Sequence, residues 1–223
     1  MDVGRSFTFV ADDKDWAIKI LIGGGILLLG IFFFWLLLIP LIVAAALLCG
    51  YSLGITRRVI HGDTQLMPEW KDLSTLIVDG LKVIAVVIVY ALPILAAGLC
   101  LGAPADLLAR SDSSAASSLG NLFSGLFTLI SILWSIVMAF LLPAAIGRLA
   151  DTGQMAPAFR FGEVIRLIRE HFSTYLVTAL MTWVALFVGG LGKLLCVGWL
   201  ATVPYAHMVI GHLYGQAYVV ARG

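Results

Sequence analysis

The sequence predicts an all-α integral membrane protein. Three observations carry that reading: bulk composition, the length of the uncharged runs, and the placement of the basic residues. Of 223 residues, 61% are hydrophobic and 12% charged, with a mean hydropathy of +1.04. A soluble domain is about half apolar and about a quarter charged. Abundant apolar surface also excludes a disordered chain. A net charge of +1 from 14 basic and 13 acidic side chains excludes a polyanion-binding surface, so membrane lipids, and no nucleic acid, are the expected partners.

Taken in order, the N-terminal stretch up to Trp16 is too acidic and polar for a signal peptide. Its Val3, Phe7 and Val10 form a short apolar stripe ahead of Asp12 and Asp13. The charge-free runs that follow are Ile20–Thr56, Val83–Ala105, Ser113–Gly147, His171–Gly192 and Leu194–Ala221. A span needs about 20 apolar residues, so three runs fit one helix each. Ser113–Gly147 fits one span once its polar start, residues 113–121, is set aside as loop. Ile20–Thr56 would be about 55 Å long as one helix against a hydrocarbon core of about 30 Å, so it reads as two short spans. Pro40 lacks an N–H and disfavours helix at Ile39, which places the turn there.

Positive-inside counting then favours six spans. With six, twelve of the 14 basic residues share the side of both termini, and only Arg110 and Lys193 lie opposite. That split predicts cytoplasmic termini. The two long connections on the same side read as amphipathic helices lying in the headgroup plane. In Phe161–Tyr175, Val164, Ile165, Leu167 and Ile168 face one way and Glu163, Arg166 and Arg169 the other. Trp70–Lys82 divides similarly, with Leu73, Leu76 and Ile77 opposite Asp72, Asp79 and Lys82.

The chain also repeats itself. Residues 65–71 and 154–160 share the form Gln–apolar–x–Pro–x–aromatic–basic, through Gln65, Pro68, Trp70 and Lys71 and then Gln154, Pro157, Phe159 and Arg160. Each follows a span ending in arginine (Arg58, Arg148). With the N-terminal stripe as a third copy, the chain is one polytopic domain over 1–223. It is built of pseudo-repeat units of roughly 1–58, 59–148 and 149–223, each an interfacial helix followed by a transmembrane hairpin.

Residues Asp13 to Trp16, Leu21 to Gly24, Pro68 to Trp70, Asp79 to Lys82 and Leu213 to Tyr218, in that order, resemble the prokaryotic membrane family called domain of unknown function 4013. Lys14 stands where that family's pattern leads one to expect proline, and the first hairpin is longer and more aromatic. The resemblance implies a fold and a location, the prokaryotic cytoplasmic membrane, and no reaction.

Within the spans the chemistry is sparse. Every Asp, Glu, Lys and Arg falls at or beyond a span end, which counts against ion-coupled transport. Gly50 and Gly54, Gly98 and Gly102, and Gly211 and Gly215 form three GxxxG pairs that predict close helix packing. Ser124, Thr128, Ser131 and Ser135 make a small polar stripe, read as helix–helix contact or, alternatively, a pore lining. Tyr90, Thr178, Thr182, Thr202, His207 and His212 are the remaining polar residues expected at membrane depth. The two histidines lie about 140° apart on one helix and cannot share a metal or haem. Cys49, Cys100 and Cys196 read as buried small hydrophobes. No nucleophile motif, metal spacing or phosphate loop is present, so neither an enzyme nor a cofactor is expected. Two functions remain: an accessory or scaffold subunit that self-associates or joins a larger membrane complex, or a small permease, channel or lipid-handling protein for a neutral or amphipathic substrate.

Overall fold

The computed structural model describes residues 2–33, 39–195 and 197–223. Every regular element among them is helical. Helix α1 (Val3–Thr8) starts where the Asp2 carboxylate accepts the Arg5 N–H at 3.0 Å, an N-cap that satisfies one of the free N–H groups of the first turn. A short 3-10 turn (Phe9–Asp12) follows. The chain then bends by 96° into α2 (Trp16–Phe32). Helix α3 (Ile39–His61) includes both Ile39 and Pro40, which corrects the expectation of a non-helical Ile39. A proline in the first turn of a helix sacrifices an N–H that has no intrahelical partner anyway. Residues 34–38 and Cys196 lie outside the described residues.

Helix α4 (Leu73–Ala97) leads through a π-turn (Gly98–Gly102) into α5 (Ala103–Ala109). The expected interfacial helix over Trp70–Lys82 is therefore corrected: no break separates Lys82 from Val83, and Asp79 is buried rather than facing water. The expected loop at the start of the third run is helical too, since α6 runs from Ser114 to Thr152. Its opening serines turn their hydroxyls inward, Ser117 and Ser118 both donating to the Ser114 carbonyl at 3.1 and 2.8 Å. After α7 (Met155–Ala158) come α8 (Phe161–Glu170) and α9 (Phe172–Leu191), broken at His171, then a 3-10 turn (Gly192–Leu195) and α10 (Trp199–Arg222).

Among the described residues four stretches are long and apolar enough to cross a membrane: Ile39–His61, Leu73–Ala109, Ser114–Thr152 and Phe172–Leu194, with the bent pair Val3–Asp12 and Trp16–Phe32 as a fifth. Helix α10 is long enough, yet its tyrosines, histidines and Gln216 lower its hydropathy. Twelve of its residues are buried, so it packs polar groups inward and has little need of an apolar outer face.

Two compact units are present: Met1–Val86 with Pro143–Gly223, and Val87–Leu142. In the first, α10 lies against α2, α3 and α9. Its apolar core joins Phe9, Val10, Ile20, Leu47, Tyr51, Ile55, Met67, Leu76 and Met208. Tyr51 stacks on Trp70 with ring centroids 4.4 Å apart and donates to the Pro68 carbonyl at 3.0 Å. Trp70 in turn donates to the Lys19 carbonyl at 3.2 Å. In the second unit, Phe127 lies 3.6 Å from where a side chain would begin at Gly98 and Gly102, and Trp134 donates to the Tyr90 carbonyl at 3.2 Å.

Candidate functional site

The first unit gathers its charges at one end, where α3, α6 and α10 finish and α4 and α8 begin. Asp79 on α4 accepts from Arg57 at 2.9 Å and from Lys82 at 3.1 Å. Arg57 also donates to the Ala150 carbonyl at 3.3 Å, and Lys82 to that of Gly153 at 3.4 Å, so one buried carboxylate ties α4 to the ends of α3 and α6. Beside it Asp151 accepts from Arg222 at 2.9 Å and from Tyr218 at 3.2 Å. Arg148 donates to the Pro157 carbonyl at 2.9 Å and pairs with Glu163, which also binds Arg160 at 3.3 Å. Burial would raise the Glu163 carboxyl, but the Arg148 hydrogen bond and charge, with Arg160, outweigh it and hold it below the ordinary range. Asp13 behaves alike: burial acts upward, and the Lys19 hydrogen bond at 2.6 Å, the Asp15 N–H and the Lys19 charge bring it below its usual value.

The two Gln–x–x–Pro segments enter this collar in similar ways. Helices α3 and α6 are each followed by a glycine of positive φ, Gly62 at +74° and Gly153 at +69°, a left-handed conformation that glycine adopts without Cβ strain. The terminal arginine then reaches forward onto the segment's carbonyls. Arg58 donates to Gln65 and Met67 at 2.9 and 3.1 Å, and Arg148 to Pro157.

The GxxxG glycines occupy two different settings. A Cβ at Gly50 would collide with the Leu76 carbonyl, and one at Gly80 with that of Ala46, so α3 and α4 cross backbone to backbone. At Gly211 a Cβ would sit 2.5 Å from the Ser52 carbonyl oxygen. Thr56 donates to the Gly211 carbonyl there at 2.9 Å, and Ser52 to that of His207 at 2.9 Å. Gly54 faces the Pro68 ring and Gly215 faces Val59. Gly98 and Gly102 meet only the Phe127 ring, at ordinary van der Waals distance.

The structure separates the remaining candidates. Thr128, Ser131 and Ser135 donate to carbonyls of their own helix at 2.8, 2.7 and 2.7 Å, and Ser124, Thr128 and Ser135 are exposed. His207 Nδ1 lies 3.0 Å from the Val203 carbonyl one turn back. His212 stacks on Phe9 at 4.4 Å. Its Nδ1 lies 2.9 Å from the Ser6 hydroxyl and 3.3 Å from Gln216 Nε2. Tyr90 is buried. Cys49 is half-buried and Cys100 exposed, which corrects the buried reading for Cys100: it lies in the π-turn between α4 and α5, where the exposed Leu99 shares its surface. Among the described residues no group of three or more His, Cys, Asp or Glu side chains is placed to hold a metal ion.

Gly80 and the Asp79 collar escaped the sequence reading as sites, although Asp79 to Lys82 was one of the motifs carrying the family resemblance. A signal was present in the opposite charges at neighbouring span ends. The family described as "Protein of unknown function (DUF4013)" matches residues 32–198. The chain belongs to that family. The match includes Pro68 to Trp70 and Asp79 to Lys82, whereas the motifs at 13–24 and 213–218 lie outside it. No curated protein and no solved structure matches the chain.

Proposed function

We propose that this member of the DUF4013 family is a multi-pass scaffold subunit of the prokaryotic cytoplasmic membrane, with no reaction of its own. In this reading α2, α3, the α4–α5 stretch, α6, α9 and α10 are six crossings arranged as three hairpins. Both termini and the charged collar are cytoplasmic, as twelve of the 14 basic residues favour. The three pseudo-repeat units of roughly 1–58, 59–148 and 149–223 are the modules of that topology, together one polytopic domain. The partner is a second copy or another membrane-protein subunit.

One observation carries the scaffold role: Ser124, Gly125, Thr128 and Ser135 of α6 are exposed, and nothing lies within 4 Å of where a Gly125 side chain would begin. Small residues on an open helix face permit close approach of another helix, the main source of association in lipid. The bonded hydroxyls of Thr128, Ser131 and Ser135 are already satisfied by their own backbone, which favours this contact role over the permease or lipid-handling alternative. Purification from the native membrane in gentle detergent tests it. A stoichiometric partner or stable homo-oligomer is expected. A lone chain that retains a neutral solute would support the permease instead. Thr64→Cys and Gln154→Cys, each in a cysteine-free background, test the topology: labelling of either by an impermeant reagent from outside intact cells overturns it.

A further inference from the structure

We propose that the groove on α8 bounded by Gly162, Ile165, Arg166 and Arg169 binds the phosphodiester headgroup of an anionic phospholipid. The groove encloses about 390 Å³. It exists because residue 162 has no side chain, and nothing lies within 4 Å of where one would begin. Elsewhere the cationic groups of the collar are engaged: Arg57 and Lys82 share Asp79, Arg148 and Arg160 share Glu163, Arg222 holds Asp151, and Arg58 donates to the Gln65 and Met67 carbonyls. Arg166 and Arg169 differ. Both are exposed, and neither makes an ion pair or side-chain hydrogen bond among the described residues. Glu170 on the rim offsets one of them and leaves the groove with a single net positive charge. Two guanidinium groups one turn apart suit a phosphodiester, whose oxygens accept paired N–H donors. Ile165 lies in the same groove, and the exposed Phe161 and Phe172 flank the helix, giving the acyl chains an apolar seat beside the charge.

The inference rests on the membrane placement proposed above and is independent of the scaffold role. The test is native mass spectrometry of the full chain released from nanodiscs of equimolar phosphatidylglycerol and phosphatidylcholine, repeated with added inorganic phosphate. Retained lipid is expected to be mostly phosphatidylglycerol, unaffected by millimolar phosphate. R166Q/R169Q should lose that enrichment by more than about ten-fold, since a basic residue near an anionic surface contributes roughly five-fold in affinity. R166K/R169K, which keeps the charge but not the paired donors, should fall between, and it provides a reading even where the glutamine variant folds poorly. R110Q/K193Q should retain lipid like wild type. Equal retention of the two lipids, or unchanged enrichment in R166Q/R169Q, overturns the proposal. Displacement by phosphate overturns the lipid as the ligand. Failure to enter any bilayer overturns the membrane placement as well, whereas entry without enrichment overturns the groove alone.

Discussion

Residues 87–142 and the unit formed by 2–86 with 143–223 are both rich in apolar helix, but they hold themselves together differently. In the larger unit helices meet through glycine: Gly50 and Gly80 bring backbones together, Gly24 faces the Leu200 carbonyl, and Gly211 faces Ser52. Thr178 and Thr182 there bond within α9, but Ser52, Thr56 and Thr202 reach across to carbonyls of other helices. In residues 87–142 the start of α6 also meets α5 through a glycine, Gly120 facing the Ala105 carbonyl and the Ala109 N–H. Further along α6, however, the hydroxyls of Thr128, Ser131 and Ser135 return to their own helix, Gly125 faces open space, and Gly98 and Gly102 face the Phe127 ring. Lipid exerts no hydrophobic force between helices, so association depends on close contact and interhelical hydrogen bonds. The larger unit makes those contacts within the chain. In the smaller, the face of α6 around Gly125 is left uncovered.

The largest effect that separates the regions is expected at the α3–α4 crossing. Gly80→Leu must push apart two backbones and should cost about 3 kcal/mol or more, seen as loss of folded protein or a steep fall in melting temperature in detergent. Gly125→Leu should be tolerated and even favour helix slightly. Equal melting of the two variants would remove the contrast. Gly54→Leu, which meets the Pro68 ring rather than backbone, should fall between, and Gly215→Leu, whose Cβ would lie 2.7 Å from the Val59 Cβ and 3.0 Å from the Thr56 carbonyl, should approach Gly80→Leu.

The collar comes next. Asp79→Asn leaves Arg57 and Lys82 without their carboxylate. A fully buried pair broken this way costs about 3–5 kcal/mol. Because the Arg57 and Lys82 side chains are 33% and 32% exposed, about 1–2 kcal/mol is expected here. Unchanged stability would show that the charged end does not hold α4 to α3 and α6. A smaller step is Thr56→Val, which removes one bond between helices and should cost roughly 1 kcal/mol. Thr128→Val, which removes a bond within one helix, should cost much less. If Thr128→Val is the more damaging, the stripe has a role inside the chain.

The smallest effect is acidic destabilisation through Asp13. Its carboxyl is held below its ordinary value when folded, so its contribution is present above the unfolded value of about 4 and is lost as pH falls through the lower folded value. Asp13→Asn should flatten the acid limb of stability against pH below about 4, and an identical limb in both proteins would contradict the pairing with Lys19.

Much of this contrast could be read from the sequence in part only. Helices, uncharged runs and the Gln–x–x–Pro repeat are local, set by composition and spacing. What Gly50 faces is not local: it depends on Gly80, thirty positions away, and nothing in GxxxG spacing separates a backbone crossing from the ring contact at Gly98. The amphipathic pattern of Trp70–Lys82 resembles that of α8. Yet Asp79 finds Arg57 and Lys82 and is buried, so the polar face became a joint and the helix ran on into the span. In α8 the arginines find no such partner, and the chain breaks at His171. The hydroxyl stripe was legible as a stripe, but its direction depends on neighbours that periodicity does not name.

The most direct test of the scaffold reading places a photo-crosslinking amino acid at Leu129 and, separately, at Leu186 in cells. These positions have similar exposure, 55% and 51%, one in the open region and one on the outer face of the packed unit. The account predicts a discrete protein adduct from position 129, to a second copy or one other subunit, and lipid adducts alone from position 186. Lipid adducts alone from both positions, or a protein adduct only from 186, would contradict it.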